Sequence, residues 1–497
     1  MSTEESPLLR DQPNTDTRCS TLPTKDVYDR FKPKEKRMIL AIVSLTGLVP
    51  MFVSGCFVPL IPQISKDLNS TPTTVCLGVT MAVFASPLSD MIWSAYSSYY
   101  GRRPMYLCGL PFTILASFAV ATSTNINSLL FWRFVQMFGC NGGFVLGTAA
   151  VGDIFKVEER GSAMGTFFGS ALFGLAMAPP VGGALSQCWS WRGFQAALGV
   201  WSILQLLLLV FFFPETAHPG SLGIDRVTGP KKLFVWVNPL RCLVFLRSPN
   251  IMSITLMHTV ALIADYVLLV PIAYTVGAKY GIQGEGMIGA LFLPNGLGNF
   301  GGAAGKGKAQ RGMGPEDRLR AVWIGALVLV PISMILSGFT TAYVDGTVGL
   351  VINLVCFFTT GVGVDMIFAP IGAYVVDISP SRSAEVMAAI GAFRSLFLAP
   401  VTALLIPSVE TIGVAATNSI SGIFAFLGYS CVSCGRIWAL GFDERDSLIW
   451  LTIRYGAQMR AYADVGYPDF DTGTSYDDGM RETEGCDIPD QRTGSRK

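Results

Sequence analysis

Residues 38–60 read MILAIVSLTGLVPMFVSGCFVPL, a run of 23 residues without a charged side chain. A helix needs about 20 predominantly apolar residues to cross the hydrocarbon core of a bilayer, so this run predicts a transmembrane helix. Residues 1–37 before it are polar and lack the apolar core of a signal peptide. We therefore expect the first run to act as both targeting signal and membrane span.

Runs of this kind recur along almost the whole chain, and the predicted spans begin near residues 38, 75, 104, 128, 161, 193, 250, 284, 319, 347, 383 and 411. The composition agrees with a membrane class, since 51% of the residues are hydrophobic and only 14% are charged. Lipid cannot satisfy unpaired backbone groups, and the runs are too long for the strands of a barrel. The sequence predicts an all-α membrane protein with twelve transmembrane helices.

Positive charges are segregated along the chain. Of the 36 Lys and Arg residues, 31 fall in the two tails and in the loops that follow even-numbered spans. The opposite loops contain Lys66, Arg192 and Lys279. By the positive-inside rule both termini are cytoplasmic. The tripeptide Asn69-Ser70-Thr71 is a glycosylation sequon in the first outer loop, which makes Asn69 a candidate acceptor.

The longest internal break separates six spans from six. Asp153-Ile154 with Arg160-Gly161-Ser162-Ala163 opens the fifth span, and Asp377-Ile378 with Arg382-Ser383-Ala384 opens the eleventh. This echo predicts a duplicated unit, forming two pseudo-symmetric six-helix bundles with a substrate cavity between them. The predicted divisions are a cytoplasmic N-terminal tail (1–37), an N-terminal bundle (38–217), a cytoplasmic central loop (218–248), a C-terminal bundle (249–437) and a cytoplasmic C-terminal tail (438–497).

Five charged residues stand out inside the predicted spans. A charge at mid-membrane costs about 2.5 to 3.5 kcal/mol on insertion scales, so each needs a partner, a cavity or a function. One interpretation is that acids and bases pair within the bundle, or that some of these residues lie at the headgroups. The other is that they carry transport chemistry. The five residues are Asp90, Arg133, Asp265, Asp365 and Arg394.

Asp265 is central in its span, between apolar flanks, and is the first candidate for a proton carrier. A carboxyl group held in a low dielectric can exchange a proton near neutral pH as access alternates between two faces. Asp90 and Asp365 lie towards the inner ends of their spans and are reserve candidates. His258 is two helical turns before Asp265, where it either extends a proton path or packs as a buried histidine.

Two stretches rich in Gly and Pro interrupt the apolar runs. Residues 174–183 in span five allow close helix approach and are interpreted first as packing. Residues 292–299 in span eight, FLPNGLGN, predict a break in the helix. Broken helices at membrane depth usually line a cavity, so Asn295 and Asn299 are candidate substrate contacts.

Other function classes lack support in the sequence. The net charge of +1 gives no reason to expect nucleic-acid binding. The 11 cysteines are scattered, and with two histidines in the chain we expect no metal site, no cofactor and no enzyme activity. A ligand sensor that does not translocate is an alternative, although the short C-terminal tail predicts no folded signalling domain.

Over residues 38–440 the chain resembles the major facilitator superfamily, and within it the fungal twelve-span drug:proton antiporters. Gly101-Arg102-Arg103-Pro104 is similar to the end of the superfamily's cytoplasmic-loop motif, and Arg133 with Gln136 to the R-x-x-Q of span four. Gly174-x-x-x-Ala178-Pro179-x-x-Gly182-Gly183 resembles the span-five antiporter motif. The fungal-branch landmarks are Asp153 with Arg160-Gly161, Trp191-Arg192, Pro214-Glu215-Thr216 and Pro315-Glu316-Asp317-Arg318-Leu319.

The loop motif departs from the resemblance at two positions. Ser98 and Tyr99 stand where the loop motif normally has Asp and Arg, so the usual charge lock of the cytoplasmic gate is not expected in its standard form. The resemblance implies that Arg133 influences proton release or substrate binding, and that the span-five motif favours export. It also places the chain in the branch of dityrosine, itaconate and multidrug exporters.

We therefore expect a monomeric, proton-coupled exporter at the plasma membrane. Arginine pairs well with carboxylates, so Arg133 and Arg394 favour an organic acid such as itaconate as cargo. A multidrug antiporter for lipophilic or cationic compounds is the alternative. The expected partners are a small molecule, protons and the lipid bilayer.

Overall fold

The computed structural model describes Tyr28 and residues 30–218, 222–226, 235–282, 284–304, 322–378 and 383–434. The predicted C-terminal tail (438–497) and the landmark at residues 315–319 lie outside the described residues. Most of the N-terminal tail, before Tyr28, does so as well.

The described chain forms antiparallel helices joined by short loops. The N-half consists of α1 (Pro33–Asp67), α2 (Pro72–Tyr100), α3 (Arg102–Ala121), α4 (Ile126–Ile154), α5 (Val157–Trp189) and α6 (Trp191–Phe212). The C-half consists of α7 (Pro249–Gly277), α8a (Glu285–Ala290), α8b (Leu293–Ala304), α9 (Val322–Tyr343), α10 (Gly346–Ile378), α11 (Ser383–Ile412) and α12 (Val414–Cys434). A 3-10 helix, Pro239–Arg247, lies in the linker between the halves.

Ten of the described helices are long and apolar enough to cross a membrane. The broken helix α8 and the shorter apolar helix α12 account for the remaining two predicted spans. Large apolar side chains cover the outside of the bundle, for example Phe131, Phe211 and Leu404, each more than half exposed. In a bilayer these side chains face lipid. The predicted all-α fold is confirmed, whereas the exact domain bounds stay a prediction.

The sequence explains several helix boundaries. Thr71 caps α2 by accepting a hydrogen bond at Oγ1 from the backbone N–H of Thr74, and Asn125 caps α4 in the same way. A single residue, Gly101, separates α2 from α3 with a φ of +104°, a conformation that favours glycine. These tight connections keep consecutive helices antiparallel.

The sequence pattern repeated in the two halves marks equivalent helix junctions. Asp153 and Ile154 end α4 just before α5, and Ile378 ends α10 just before α11. The side chains of Asp377 and of residues 382–384 lie outside the described set. The two junctions fall at the same place in each half, as a duplicated unit requires.

The halves meet along two helix pairs, α2 with α11 and α5 with α8. Near one end of the first pair, the hydroxyl groups of Thr80 and Thr402 lie 3.1 Å apart. At the other end, Ser98 lies against Glu385. We call this second end, where Arg102 also lies, the basic end. The charge distribution predicts that it is cytoplasmic.

Candidate functional site

Asp265, Asn295 and Asn299 form a buried chain of hydrogen bonds. Nδ2 of Asn295 donates to Oδ1 of Asp265 at 2.9 Å, and Nδ2 of Asn299 donates to Oδ1 of Asn295 at 3.1 Å. All three side chains are at least 97% buried. The structure therefore brings together the first proton candidate and both predicted substrate amides.

The break in α8 produces this arrangement. The helix is interrupted at Leu291 and Phe292 and resumes at Leu293, with Pro294 in the first turn of α8b. Proline is tolerated there because the N–H of a first-turn residue has no helical partner. Asn295 and Asn299 follow at a spacing of four residues, which puts both amides on one face of α8b.

Asp265 and Asn295 line a small cavity between the halves. Its volume is about 50 Å³, enough for a few water molecules. N-half residues on its wall include Ser54 and Pro179, and Tyr266 and Phe292 line the C-half side. Ser54 Oγ and Tyr266 Oη lie 3.5 Å apart and form a contact between the halves.

A second cluster surrounds Arg394 in α11. Its Nη1 lies 3.4 Å from Nδ1 of His258, and the imidazole packs on Phe368 with the ring centroids 4.0 Å apart. Since arginine has no acceptor, Nδ1 accepts this hydrogen bond and the imidazole is neutral in this arrangement. Nε of Arg394 is buried without a hydrogen-bond partner among the described residues.

Asp90 in α2 faces Arg394 across the boundary between the halves. The two side chains interact electrostatically, although no ion pair within 4.0 Å joins them. Oδ1 of Asp90 accepts a hydrogen bond of 2.6 Å from Nδ2 of Asn141 in α4. Oδ2 lies so close to α11 that a Cβ on Gly391 would be 2.7 Å from it. Only a glycine lets the carboxylate approach α11 this closely.

Arg133 lies in the interior of the N-half and is not part of the cavity lining. It donates to Oε1 of Gln136 at 2.7 Å, and its guanidinium stacks on the ring of Phe57 at 4.2 Å. The amide of Gln136 in turn donates to Ser117 and Gln195. These contacts make Arg133 an anchor among α1, α3, α4 and α6 in this conformation.

The predicted proton path from His258 to Asp265 is not continuous here. His258 contacts α10 and α11, whereas Asp265 contacts α8b, and no described hydrogen bond joins the two. Asp365 is fully buried in α10. These assignments of function to individual residues stay predictions.

The basic end of the N-half is held by a polar network. Nε of Arg102 forms an ion pair with Asp153 at 3.0 Å, and Arg160 donates to the carbonyl oxygen of Gly152. The carboxylate of Glu215 accepts the backbone N–H groups of Arg102 and Arg103 at 2.9 and 3.0 Å. Glu215 therefore caps the N-terminus of α3, where a negative charge is stabilising.

The N-terminal tail joins this network through Arg30. Its guanidinium donates to the carbonyl oxygens of Glu215, Thr216 and Ala217. The ring of Tyr28 packs edge-on against His218, with centroids 5.5 Å apart. Burial lowers the pKa of His218, which favours the neutral imidazole.

The glycines of α5 allow close packing on two sides. A Cβ on Gly174 or Gly182 would meet Leu48 or Cys56 of α1. Gly183 lies against the backbone of Glu285 at the start of α8a, and the carbonyl of Pro179 lies against Gly289. The motif thus closes the contact between the halves at the end opposite the basic end. Asn69 is exposed in the loop before α2, and its glycosylation stays a prediction.

The sequence profile of the Major Facilitator Superfamily matches residues 43–402. The chain belongs to this superfamily. Its members are membrane transporters for small molecules, not enzymes in general. A solved structure, the human organic anion transporter MFSD10 (TETRAN), has the same fold, with a TM-score of 0.60 and 17% identity over 80% of this chain and 99% of that one.

Fungal relatives in the superfamily are similar over different lengths. The MFS antiporter QDR3 of Candida albicans is 33% identical over 37% of this chain and 27% of its own length. Citrate exporter 1 of Aspergillus niger is 28% identical over 46% of this chain and 43% of its own length. The efflux pump radE of Floropilus chiversii is 25% identical over 80% of this chain and 78% of its own length. The chain thus spans about a quarter of QDR3 and under half of citrate exporter 1 in these alignments.

At Ser98, where the chain departs from the superfamily's loop motif, a hydrogen bond joins the two halves. Oγ of Ser98 donates to Oε1 of Glu385 in α11 at 3.4 Å, so the contact between the halves uses a hydroxyl group from α2 and an acid from α11. Glu385, Asn141 and Tyr266 could not be recognised as site residues from the sequence. Each pairs with a residue at least 50 positions away, and a single sequence contains no signal for such a pairing.

Proposed function

We propose that this protein exports an organic acid from the cytoplasm across the plasma membrane in exchange for protons. Both termini are cytoplasmic in this proposal, and the protein acts as a monomer. The N-half and C-half rock about the site between them, so that access alternates between the two membrane faces.

The main support for the proposal is the environment of Arg394. Its Nε is buried at the boundary of the halves without a hydrogen-bond partner among the described residues, and no described carboxylate lies within 4.0 Å of the guanidinium. A buried cation of this kind is costly unless it is paired. A cargo carboxylate would supply the pairing in the two-pronged geometry that guanidinium favours.

Asp90 gives a reason for coupling cargo to protons. It is the acid that interacts electrostatically with Arg394 from the opposite half. A cargo carboxylate bound at Arg394 competes with the Asp90 carboxylate for the same positive charge, so occupancy of Arg394 and protonation of Asp90 are linked. Exchange requires that the inward-moving proton bind from outside after the cargo has left, and Asp265 carries it in this proposal.

Asp265 is the second proton-binding group in the proposal. Its carboxylate lies on the wall of the cavity between the halves and accepts a hydrogen bond from Asn295. The cavity of about 50 Å³ is far smaller than the roughly 300 to 1,000 Å³ of typical ligand pockets. Cargo binding therefore requires the halves to separate, and that separation exposes Asp265 to water and protons.

The relatives support the direction of transport. Citrate exporter 1 and the efflux pump radE are both named for export, and the structural neighbour is an organic anion transporter. A carboxylate cargo for this chain is consistent with the names of citrate exporter 1 and of the organic anion transporter.

A multidrug antiporter is the second candidate. The cavity wall is mostly apolar, with Val79, Leu269 and Phe292, and its one acid is Asp265. An apolar pocket with a single carboxylate fits a lipophilic cation. The relative QDR3, an MFS antiporter, is similar to the chain over a shorter stretch.

Transport in proteoliposomes separates the two candidates. We expect labelled itaconate to accumulate under an imposed pH gradient and the accumulation to vanish when a protonophore collapses the gradient. A fluorescent cationic dye is the parallel cargo. Accumulation of the dye without itaconate would favour the multidrug antiporter, and binding of either compound without accumulation would favour a sensor.

A further inference from the structure

The linker segment Pro239–Arg247 lies against both halves of the protein. Phe245 is buried among C-half residues that include Ile254 of α7 and Val386 of α11. Cys242 is buried in a separate cluster that contains Met91 of α2 as well as Ala388 of α11. The segment thus has one side chain fixed in the C-half and another between the halves.

The remaining members of the Cys242 cluster show how far the contact reaches. The buried members are Val145 and Ala149 of α4 and Ala389 and Ala392 of α11, and Leu88, Leu243 and Leu246 pack against them. Two N-half helices and one C-half helix therefore contribute residues to the cluster that contains Cys242. Separation of the halves at the basic end must expose this apolar surface to water, which has a free-energy cost.

The linker is also attached to the end of α2. Tyr100 accepts a hydrogen bond of 2.9 Å at its hydroxyl oxygen from the backbone N–H of Val235. Gly223 lies against the ring of Tyr99, so closely that a Cβ there would overlap the ring. Tyr99 and Ser98 occupy the positions of the missing loop-motif charges, and both make contacts that hold the basic end closed.

The outward face of the segment differs from its buried face. Leu240, Arg241 and Arg247 are exposed, whereas Cys242 and Phe245 are at most 7% exposed. This alternation matches a short amphipathic element that lies on the bundle with its more polar side outward. The two faces allow mutations on one side to serve as controls for the other.

We propose that Pro239–Arg247 is a clamp that closes the cytoplasmic side of the transporter. Phe245 fixes the clamp to the C-half, and Cys242 closes the basic end through the buried cluster that it shares with residues of α2 and α4. The clamp leaves the N-half when cytoplasmic access opens and stays attached to α11. This inference rests on the proposed transport function, because a gate requires alternating access, but it does not depend on the cargo.

Reactivity of the native Cys242 thiol tests the closed state without any cargo. Burial raises the pKa of this thiol to about 12, so the reactive thiolate is scarce while the clamp is closed. We expect slow labelling by a membrane-permeant maleimide, measured on the Cys242 peptide by mass spectrometry. Phe245→Ala should accelerate labelling, whereas Leu240→Ala, on the exposed face, should not. Equal labelling rates in these two variants would overturn the proposal.

Cross-linking tests whether the clamp moves with the N-half or with the C-half. Met91→Cys and Ala388→Cys each place a second thiol in the buried cluster that contains native Cys242, the first in the N-half and the second in the C-half. After treatment with a short bifunctional thiol reagent, the Met91 pair should lose transport, because the clamp can no longer leave α2. The Ala388 pair should retain transport.

The possible results are distinct. Transport in both linked proteins, or in neither, contradicts the clamp, as does failure of the Met91 pair to link at all. If the unmodified protein carries no itaconate or dye, the proposed function has failed instead. The labelling comparison then still decides the clamp.

Discussion

Nδ2 of Asn295 donates a hydrogen bond to Oδ1 of Asp265 over 2.9 Å, joining the broken helix α8 to α7. The contact places a carboxylate, an amide and the interrupted backbone at one point on the wall of the cavity between the halves. Irregular backbone at this depth is tolerated where it lines a cavity, so the broken helix and the acid form one structural feature.

Asp265→Asn tests this group as a proton carrier. The substitution keeps the shape of the side chain and an oxygen that accepts from Asn295, so the fold should survive. Transport driven by a pH gradient should be largely lost, because the amide binds no proton in the transport range. The control is Asp345→Asn, which removes an exposed acid paired with Lys279. Unchanged transport with an unchanged pH profile in Asp265→Asn would exclude the role.

Arg394→Gln tests recognition of the cargo carboxylate. Hydrogen bonds to charged groups contribute about 1.5 to 3 kcal/mol, so we expect the KM for itaconate to rise by about tenfold or more. Dye transport should change less. Arg192→Gln is the matched control, since Arg192 forms a partly exposed ion pair with Asp67 and such pairs contribute little. An equal change for both cargoes in Arg394→Gln would count against a carboxylate site.

Gly391→Ala tests the approach of Asp90 to α11. The new methyl group would lie 2.7 Å from Oδ2 of Asp90, so the carboxylate or the helix must move. We expect reduced proton-coupled transport with little loss of expressed protein. Gly165→Ala in α5 is the control, because no described atom lies within 4 Å of the added methyl group. Similar transport rates in the two variants would show that the close approach is unimportant.

Glu215→Ala tests the cap of α3. Loss of a helix cap costs about 1 kcal/mol, and here the backbone N–H groups of Arg102 and Arg103 both lose their acceptor. Thermal unfolding in detergent should shift to lower temperature. Glu159→Ala, at an exposed position at the start of α5, should leave the unfolding temperature unchanged. Identical unfolding curves would mean that the cap contributes nothing measurable.

The helices could be predicted from the sequence because lipid imposes a length and an apolar composition on every span. Most predicted starts fall within about four residues of the observed ones. The first helix begins earlier, at Pro33, because its first turn is polar and lies outside the apolar run. The break in α8 falls at residues 291–292, at the start of the predicted stretch, because Pro294 is favoured in the first turn of a helix rather than before it.

The site could be predicted only in part. Charges inside apolar runs identified Asp90, Asp265 and Arg394, since burial of a charge is costly wherever it occurs. Their partners depend on which helices pack together, and His258 is 136 residues from Arg394. Arg133 illustrates the limit: its type and position were recognisable, but its enclosure by Phe57 and Gln136 follows from the packing of the whole N-half.

The network around Glu215 sets a physical limit on shortening the protein from its beginning. Arg30 occupies three carbonyl oxygens of residues 215–217, and the carboxylate of Glu215 holds the first turn of α3. A deletion that stops before Tyr28 leaves these contacts intact, whereas one that removes Arg30 leaves the three carbonyl groups to water. An affinity tag or fluorescent reporter attached at this terminus therefore needs its spacer upstream of Tyr28.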